Sequence, residues 1–269
     1  MTLLKRHALT AYSLLVVAYL MLPIAVVILF SFNEPAGRFN YVWQEFTFDN
    51  WVEWDAVLGL RDAVMTSLLV GVLATVVATV LGTLMALAIV RHEFRGRGAA
   101  NVLVFLPMST PEIVLGASLL TLFLNMTSVF SLGLWTIFIA HVMFVVSFVV
   151  VTVKARLIGF DRHLEEAAMD LGANEWATFR KVTLPMIAPG VAAAALLAAA
   201  ISVDDYVITS FNAGQTITFP LFIFGATRQG VPPEVNVLAT GLLLIVLVLM
   251  ALNVLLQRRL ARRDAARTA

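Results

Sequence analysis

DRHLEEAAMDLGANEWATFRKVTLP, residues 161–185, is the one long charged and amphipathic segment in a chain of otherwise apolar runs. Within it, Leu164, Ala167, Ala168 and Leu171 repeat at i, i+3, i+4 and i+7. This spacing is typical of one face of an α-helix. The segment therefore predicts a short helix with an apolar face.

Capping residues divide the segment into two parts. Asp161 suits the start of the first helix and Gly172 its end. Asn174 suits the cap of a second short helix, and Pro185 is expected to start the next element because proline disfavours simple continuation of a helix. The apolar side of the second helix would carry Trp176, Phe179 and Val182. Two short helices around a glycine, lying between membrane spans, would form a surface on which a partner outside the membrane could act.

The composition is that of an integral membrane protein. Of the 269 residues, 61% are hydrophobic and only 13% are charged, whereas soluble domains are about half apolar and a quarter charged. There is no cysteine, which excludes disulfides, thiolate metal sites and cysteine nucleophiles. The sequence predicts an all-α membrane fold.

Six apolar runs are long enough to cross a hydrocarbon core of about 30 Å. The third run is interrupted by Pro107 and Pro111 and carries Glu112 near its middle. We predict three regions: 1–62 with the first span and an acidic outer loop, 63–256 with the other spans, and a basic tail, 257–269. The six predicted spans are residues 8–32, 63–90, 101–124, 129–153, 184–202 and 235–256.

The basic residues predict the orientation. Fifteen of the 18 Lys and Arg fall in the N-terminus, the second and fourth loops and the tail, and the other three are Arg38, Arg61 and Arg228. Because Lys and Arg accumulate in cytoplasmic loops, both termini and segment 161–185 are expected in the cytoplasm.

The chain lacks the common catalytic motifs. It has no G-x-x-x-x-G-K-[ST] and no H-E-x-x-H, so no P-loop or zinc-protease motif is present. Ser118 and His141 raise the alternative of an intramembrane hydrolase, but small residues in a span usually serve helix packing, and His141 is expected to be packed or hydrogen-bonded.

Segment 161–185 resembles the signature of the ABC importer permeases. That pattern is E-A-A, three residues, G, nine residues and I-x-L-P, and the chain matches it with Glu166-Ala167-Ala168, Gly172 and, with Val in place of Ile, Val182-Thr183-Leu184-Pro185. The resemblance implies the six-span type I (MetI-like) permease fold in a bacterial inner membrane. It also implies that the two short helices are coupling helices that dock on a cytoplasmic ATPase.

The resemblance implies a set of coupling residues and partners. ATP and magnesium would be bound by the partner ATPase dimer, with no cofactor or metal on this chain. A second permease subunit and an extracytoplasmic substrate-binding protein are further expected partners, and no nucleic acid is expected. Glu166 could pair with a basic residue of the ATPase or with Arg162 one turn earlier. The implied coupling residues are Leu164, Glu166, Ala167, Ala168, Leu171, Gly172, Trp176, Phe179, Leu184 and Pro185.

Three further stretches resemble the spermidine/putrescine permeases, and specifically their second permease subunit. These stretches are LPMSTPEIVLG at 106–116, SVDDYVITSF at 202–211 and PEVNVLAT at 233–240. Permeases for iron(III), sulfate and thiamine share much of this pattern, so another solute, such as one of these or an amino-acid derivative, remains an alternative. A secondary carrier or channel is an alternative of a different class.

Four residues are candidates for a cationic solute path. A carboxylate at the centre of a span costs about 2.5–3.5 kcal/mol on insertion scales, so Glu112 is expected to face a cavity or a partner, or else to accept hydrogen bonds from backbone freed by the prolines. Asp204 and Asp205 follow the fifth span, where one could attract cations and the other could cap the next helix. Tyr206 could add a cation–π contact with an amine.

Overall fold

The computed structural model describes residues 3–37, 39–126, 129–245 and 247–248. Most of these residues are helical, and their one strand pair is a short antiparallel pairing of β1 (Asn33–Glu34) with β2 (Glu45–Phe46). The helices are α1 (Leu3–Phe30), α2 (Asp49–Val52), α3 (Leu60–Arg91), α4 (Arg97–Ser109), α5 (Glu112–Asn125), α6 (Leu134–Ile158), α7 (His163–Asp170), α8 (Glu175–Thr178), a π-helical segment (Phe179–Thr183), α9 (Leu184–Asp204), α10 (Val207–Asn212), α11 (Phe219–Thr227) and α12 (Pro233–Ile245).

Four described helical runs are long and apolar enough to cross a membrane, and a bent pair of helices could supply a fifth crossing. The four runs are Leu9–Phe30, Leu60–Arg91, Leu134–Ile158 and Glu175–Asp204. They confirm the predicted first, second, fourth and fifth spans as helices. The predicted sixth span begins in α12, but its last residues and the tail at 257–269 lie outside the described residues, so the count of six spans stays a prediction.

The bent pair consists of α4 and α5, whose axes differ by 106°. The break lies at Thr110 and Pro111, as the sequence predicts, and Thr110 has extended backbone angles (φ −81°, ψ 132°). A residue before proline is disfavoured in the helical region, and proline cannot donate a helical hydrogen bond. Pro107 is accommodated inside α4. Glu112 is consequently the first residue of α5 and not a mid-helix residue.

Pro185 lies at the start of α9, as the sequence predicts, but it does not separate this helix from the one before it. The helical run continues from Glu175 to Asp204, with Pro185 in the first turn of α9. The helix continues past Pro185 because the preceding turn is π-helical: the Leu184 N–H donates to the Phe179 carbonyl five residues earlier. A proline removes one i→i−4 hydrogen bond, and a π-bulge is a common way to accommodate such a defect.

Contacts divide the chain into two compact units, residues 62–222 and residues 1–61 with 223 onward. The core of the first unit is built on α6, whose Val145, Val149 and Val153 are fully buried, and on Ala194 and Ala198 of α9. Small side chains on α9 let its backbone approach α6 closely.

Glycines allow α3 to pack tightly inside this unit. A Cβ at Gly82 would lie 2.6 Å from the Val149 Cγ1 atom and 3.2 Å from the Val146 carbonyl oxygen, and a Cβ at Gly71 would lie 2.7 Å from Val203 Cγ2. The helix surfaces are therefore in contact at the glycine Cα atoms, as the sequence predicts for small residues in this span.

In the other unit, a polar and aromatic hairpin follows α1. The Asn33 side chain donates to Asn40 Oδ1 (2.6 Å) and to the Val42 carbonyl (3.0 Å), while its own Oδ1 accepts from the Gln44 N–H (2.7 Å). Phe32 stacks on Phe46 beside them, with ring centroids 5.6 Å apart. These buried amide contacts fix the region between the first two predicted spans.

Replacing Gly82 with Ala should destabilise the protein by about 1–3 kcal/mol, because the added methyl group overpacks the contact with Val149. Gly98→Ala is the matched control: its new methyl group meets no atom within 4 Å, and alanine favours an exposed helix by up to about 1 kcal/mol. Thermal unfolding of the detergent-solubilised protein measures both. A Gly82→Ala variant as stable as the wild type would contradict the packing described here.

Candidate functional site

The helix α7 ends at the glycine that the sequence predicts, and Asp161, the predicted cap, lies two residues before its first residue. Asp161 Oδ1 accepts a hydrogen bond from the His163 N–H at 3.0 Å and contacts His163 Nδ1 at 2.7 Å. At the other end, Gly172 adopts φ +88°. The Gly172 N–H donates to the Met169 carbonyl (2.9 Å) and the Ala173 N–H to the Ala168 carbonyl (3.0 Å). These two bonds form a Schellman motif, which favours glycine at the left-handed position.

Asn174 caps α8, also as predicted. Its Oδ1 accepts a hydrogen bond from the Ala177 N–H at 2.8 Å. Trp176 stacks on Phe179 in the next turn, with ring centroids 5.8 Å apart and an interplanar angle of 30°. Gly172 and Asn174 thus set the direction of the chain between α7 and α8.

One charged side chain of α7 is buried, and it is Glu165. Its carboxylate accepts two hydrogen bonds from Arg91, at the end of α3, and one from the Thr183 hydroxyl, in the π-helical segment. The Arg91 Nη2 to Glu165 Oε1 distance is 2.8 Å. We call these three residues the Glu165 cluster. It joins three elements through a bidentate arginine–carboxylate pair, which is the strong geometry for such a contact.

The pKa of Glu165 is lowered. Burial alone would raise it, because a charged carboxylate loses water, but hydrogen bonds from Arg91 and Thr183 and the charges of Arg91 and Arg162 outweigh this effect. Glu165 is therefore ionised at neutral pH, and the contact with Arg91 is a charged pair.

The apolar side chains of the same helices point to solvent. Leu171 is 90% exposed, Trp176 68% and Leu164 45%. Contiguous patches of exposed apolar groups mark interaction sites. In this chain α7 buries a charge inward and presents its apolar groups outward.

The remaining predicted coupling residues lie around this face. Ala167 and Pro185 are exposed, Leu184 is 38% exposed, and Ala168 and Phe179 are half-buried. Glu166 is exposed and forms no salt bridge with any residue that the structure describes. Its suggested partner Arg162 donates instead to the Val90 carbonyl at 3.1 Å.

A cleft of about 390 Å³ opens beside the Glu165 cluster. Leu87 and His92, at the end of α3, line one side of the cleft, and Met169 and Phe179, in the segment of short helices, line the other. Among the residues that the structure describes, no group of three His, Asp or Glu is arranged to hold a metal ion.

A second polar cluster lies between the long helices and is formed by His141, Ser202, Asp205 and Thr209. His141 Nδ1 is 2.7 Å from Ser202 Oγ, and His141 Nε2 is 2.8 Å from Thr209 Oγ1 and 3.3 Å from Asp205 Oδ2. The Thr209 hydroxyl donates its proton to Asp205 Oδ2 (2.7 Å), so the Thr209 oxygen accepts a hydrogen bond from His141 Nε2–H. In a neutral imidazole, His141 Nδ1 then accepts from the Ser202 hydroxyl. His141 is thus hydrogen-bonded, as predicted.

This His141 cluster holds the break between α9 and α10. Asp205 Oδ2 also accepts from the Thr209 N–H at 2.8 Å, which is the capping role that the sequence offers for one of the two aspartates. The Ser118 hydroxyl donates to the Val114 carbonyl, and both ring nitrogens of His141 have other partners. The Ser118–His141 contact that a hydrolase would need is therefore not formed.

The other candidate path residues differ in their surroundings. Asp204 is exposed at the last residue of α9, and Glu112 is exposed in the first turn of α5, where the helix dipole favours negative charge. Tyr206 is half-buried and adjoins the His141 cluster in sequence. Gly116, one turn beyond Glu112, packs against α10, since a Cβ there would lie 3.3 Å from the Ile208 Cα atom.

Sequence reasoning missed the Glu165 cluster. Arg91 and Glu165 are 74 residues apart and Thr183 is 18 residues further on, so helical periodicity carries no information about their contact. One signal is available in retrospect: Glu165 follows Leu164 by one residue, and therefore lies about 100° from the predicted apolar face.

Comparisons with known proteins place the chain among transport proteins. Residues 78–264 match the family described as binding-protein-dependent transport system inner membrane component. The spermidine/putrescine transport system permease protein PotC of Escherichia coli strain K12 is 40% identical over 246 residues, which cover 90% of each chain. The putrescine transport system permease protein PotI of the same strain is 37% identical and covers 84% of this chain and 82% of its own.

A solved structure shows the same fold. The bacterial alginate ABC transporter, in complex with its alginate pentasaccharide-bound periplasmic protein, matches 91% of this chain and 92% of its own with a TM-score of 0.64. The sequence identity is only 20%, so this likeness concerns the fold alone.

Proposed function

The chain belongs to the family of binding-protein-dependent transport system inner membrane components, and from this premise we propose that it is the membrane subunit of an ATP-driven importer of polyamines. The observation that carries the choice of solute is the 40% identity to PotC, a spermidine/putrescine permease, across 90% of both chains. The similarity to PotI, a putrescine transport system permease protein, points to the same class of cation.

The proposed ATPase-docking surface is the outward face of α7 and α8. Leu171 and Trp176 are exposed, while the charged Glu165 is turned inward. Burial of one such side chain by a partner contributes about 1.5–3 kcal/mol. The excess of Lys and Arg on the same side of the predicted topology supports a cytoplasmic position for this surface and for both termini.

The proposed complex has further members. A second permease subunit would complete the pathway, and a binding protein on the opposite side of the membrane would deliver the solute. Arrangement of the ATPase as a dimer follows from the pairing of two permease subunits, each presenting one such surface. ATP and magnesium would be held by the ATPase, and this chain would supply the path and the coupling contact.

Glu112 and Asp204 are the proposed cation-attracting residues. Both are exposed carboxylates at helix ends, where an ammonium group can reach them without breaking an internal contact. Asp205 already accepts a hydrogen bond from Thr209 and lies close to His141. Its proposed role is therefore indirect: it would hold the conformation of the break between α9 and α10. Tyr206 would contribute through its ring face, as suggested by its position next to Asp205.

Leu171→Asp should reduce solute-stimulated ATP hydrolysis of the assembled complex at least about tenfold, because it replaces an apolar docking group by a charge. Leu58→Asp is the matched control, since Leu58 is 97% exposed in the predicted outer region. ATPase assays in proteoliposomes, with membrane insertion checked by extraction, measure both. Equal hydrolysis in the two variants would exclude this docking surface.

Glu112→Gln and Asp204→Asn should each raise the KM of ATP-driven spermidine uptake about fivefold or more. A carboxylate about 4 Å from an ammonium contributes about 1–4 kcal/mol, depending on its exposure. Glu53→Gln, which removes an exposed carboxylate from the predicted outer region, should leave the KM unchanged. Uptake of labelled spermidine, with sulfate, thiamine and ferric ion as competitors, provides the measurement. An unchanged KM in both variants would show that Glu112 and Asp204 do not lie on the solute path. Inhibition of spermidine uptake by sulfate, thiamine or ferric ion would indicate that the transported solute is that competitor and not a polyamine.

A further inference from the structure

We propose that Glu165 is a positioning residue: the Glu165 cluster makes α7 and the end of α3 move as one body when a partner pushes on α7. This inference rests on the proposed function, because it concerns how force on the docking surface reaches the membrane-spanning helices. Glu165 is distinct from the neighbouring Glu166 of the signature, which is exposed.

This inference is based on the contacts of the Glu165 carboxylate. Glu165 belongs to α7, Arg91 to the last turn of α3, and Thr183 to the π-helical segment immediately before α9. A displacement of α7 therefore reaches two long helices through a single buried group. Because the pair is bidentate, it resists rotation as well as separation.

Two other contacts reinforce the junction of α7 with α3. The Arg162 guanidinium donates to the Val90 carbonyl at 3.1 Å, which satisfies one of the free carbonyls at the end of α3. The Arg91 guanidinium also lies over the Phe160 ring, 5.4 Å from its centroid. Arg91 is thus held by a carboxylate from α7 and by an aromatic ring from the turn that precedes α7.

The junction with α9 has a different character. Thr183 contributes one hydroxyl hydrogen bond to Glu165, and it lies in the π-helical segment that passes Pro185. A π-helical turn is an irregularity in the helical hydrogen bonding, where a helix can bend. The arrangement predicts a rigid connection from α7 to α3 and a more compliant connection from α7 to α9.

The experiment follows the distance between α7 and α3 directly. The chain has no cysteine, so spin labels at Asp170→Cys and Leu84→Cys, both exposed, report that distance once the other subunits have been made cysteine-free. In the complete transport complex the distribution should stay narrow and unchanged between the ATP-free and ATP-bound states. Glu165→Gln should broaden it in at least one state, whereas the control Glu93→Gln, an exposed carboxylate two residues from Arg91, should not.

A functional readout separates positioning from simple structural support. Glu165→Gln should keep the ATPase bound and hydrolysing ATP, while spermidine uptake per ATP hydrolysed falls about fivefold or more, the lower range of a coupling free energy. The charge-reversed pair Glu165→Arg with Arg91→Glu should recover part of the loss, which a mere loss of folding would not allow.

Two outcomes would overturn the inference. One is a Glu165→Gln variant with a narrow distance distribution and wild-type uptake per ATP. The other is a variant that loses ATPase binding and uptake in parallel and is not rescued by charge reversal. If the wild-type complex imports no spermidine, the proposed solute fails, but the distance measurement with ATP alone still decides the role of Glu165.

Discussion

A carboxylate removed from water must be paired, and the pairing of Glu165 with Arg91 constrains the whole loop between α6 and α9. The pair fixes which side of α7 faces the rest of the chain. Since Glu165 is turned inward, Leu164 and Leu171 are left on the surface. The exposed apolar face that we assign to a partner is thus a consequence of an internal ion pair.

Buried polar groups between the membrane-spanning helices also need partners. The long helices bury Val, Ala and Gly, and the polar groups of the His141 cluster are paired: His141 with Ser202 and Thr209, and Asp205 with Thr209. Within hydrocarbon, backbone and side-chain polar groups must find internal partners. The His141 cluster meets this requirement where α9 gives way to α10, and it leaves the exposed Asp204 at the end of α9 as the more accessible acid.

Local signals in the sequence predicted the local structure well. Gly172 ends α7, Asn174 caps α8, and Pro111 breaks the third apolar run, because each acts through its own backbone or its immediate neighbours. Contacts between distant residues could not be predicted in this way. Periodicity did not indicate that Glu165 meets Arg91, and a local rule for Pro185 missed that a π-helical segment lets the helix continue. The sequence offers a capping role to Asp204 or Asp205 without choosing between them, and in the structure Asp205 takes it.

The central claim is that the outward face of α7 and α8 binds a cytoplasmic ATPase. The most direct measurement is site-specific cross-linking in the assembled complex, because this chain has no native cysteine to compete with an introduced one. A photoactivatable maleimide at Leu171→Cys should capture the ATPase, and the same reagent at Leu58→Cys should not. Capture of the ATPase from Leu58→Cys, or its failure at Leu171→Cys in a complex that still hydrolyses ATP, would contradict the account.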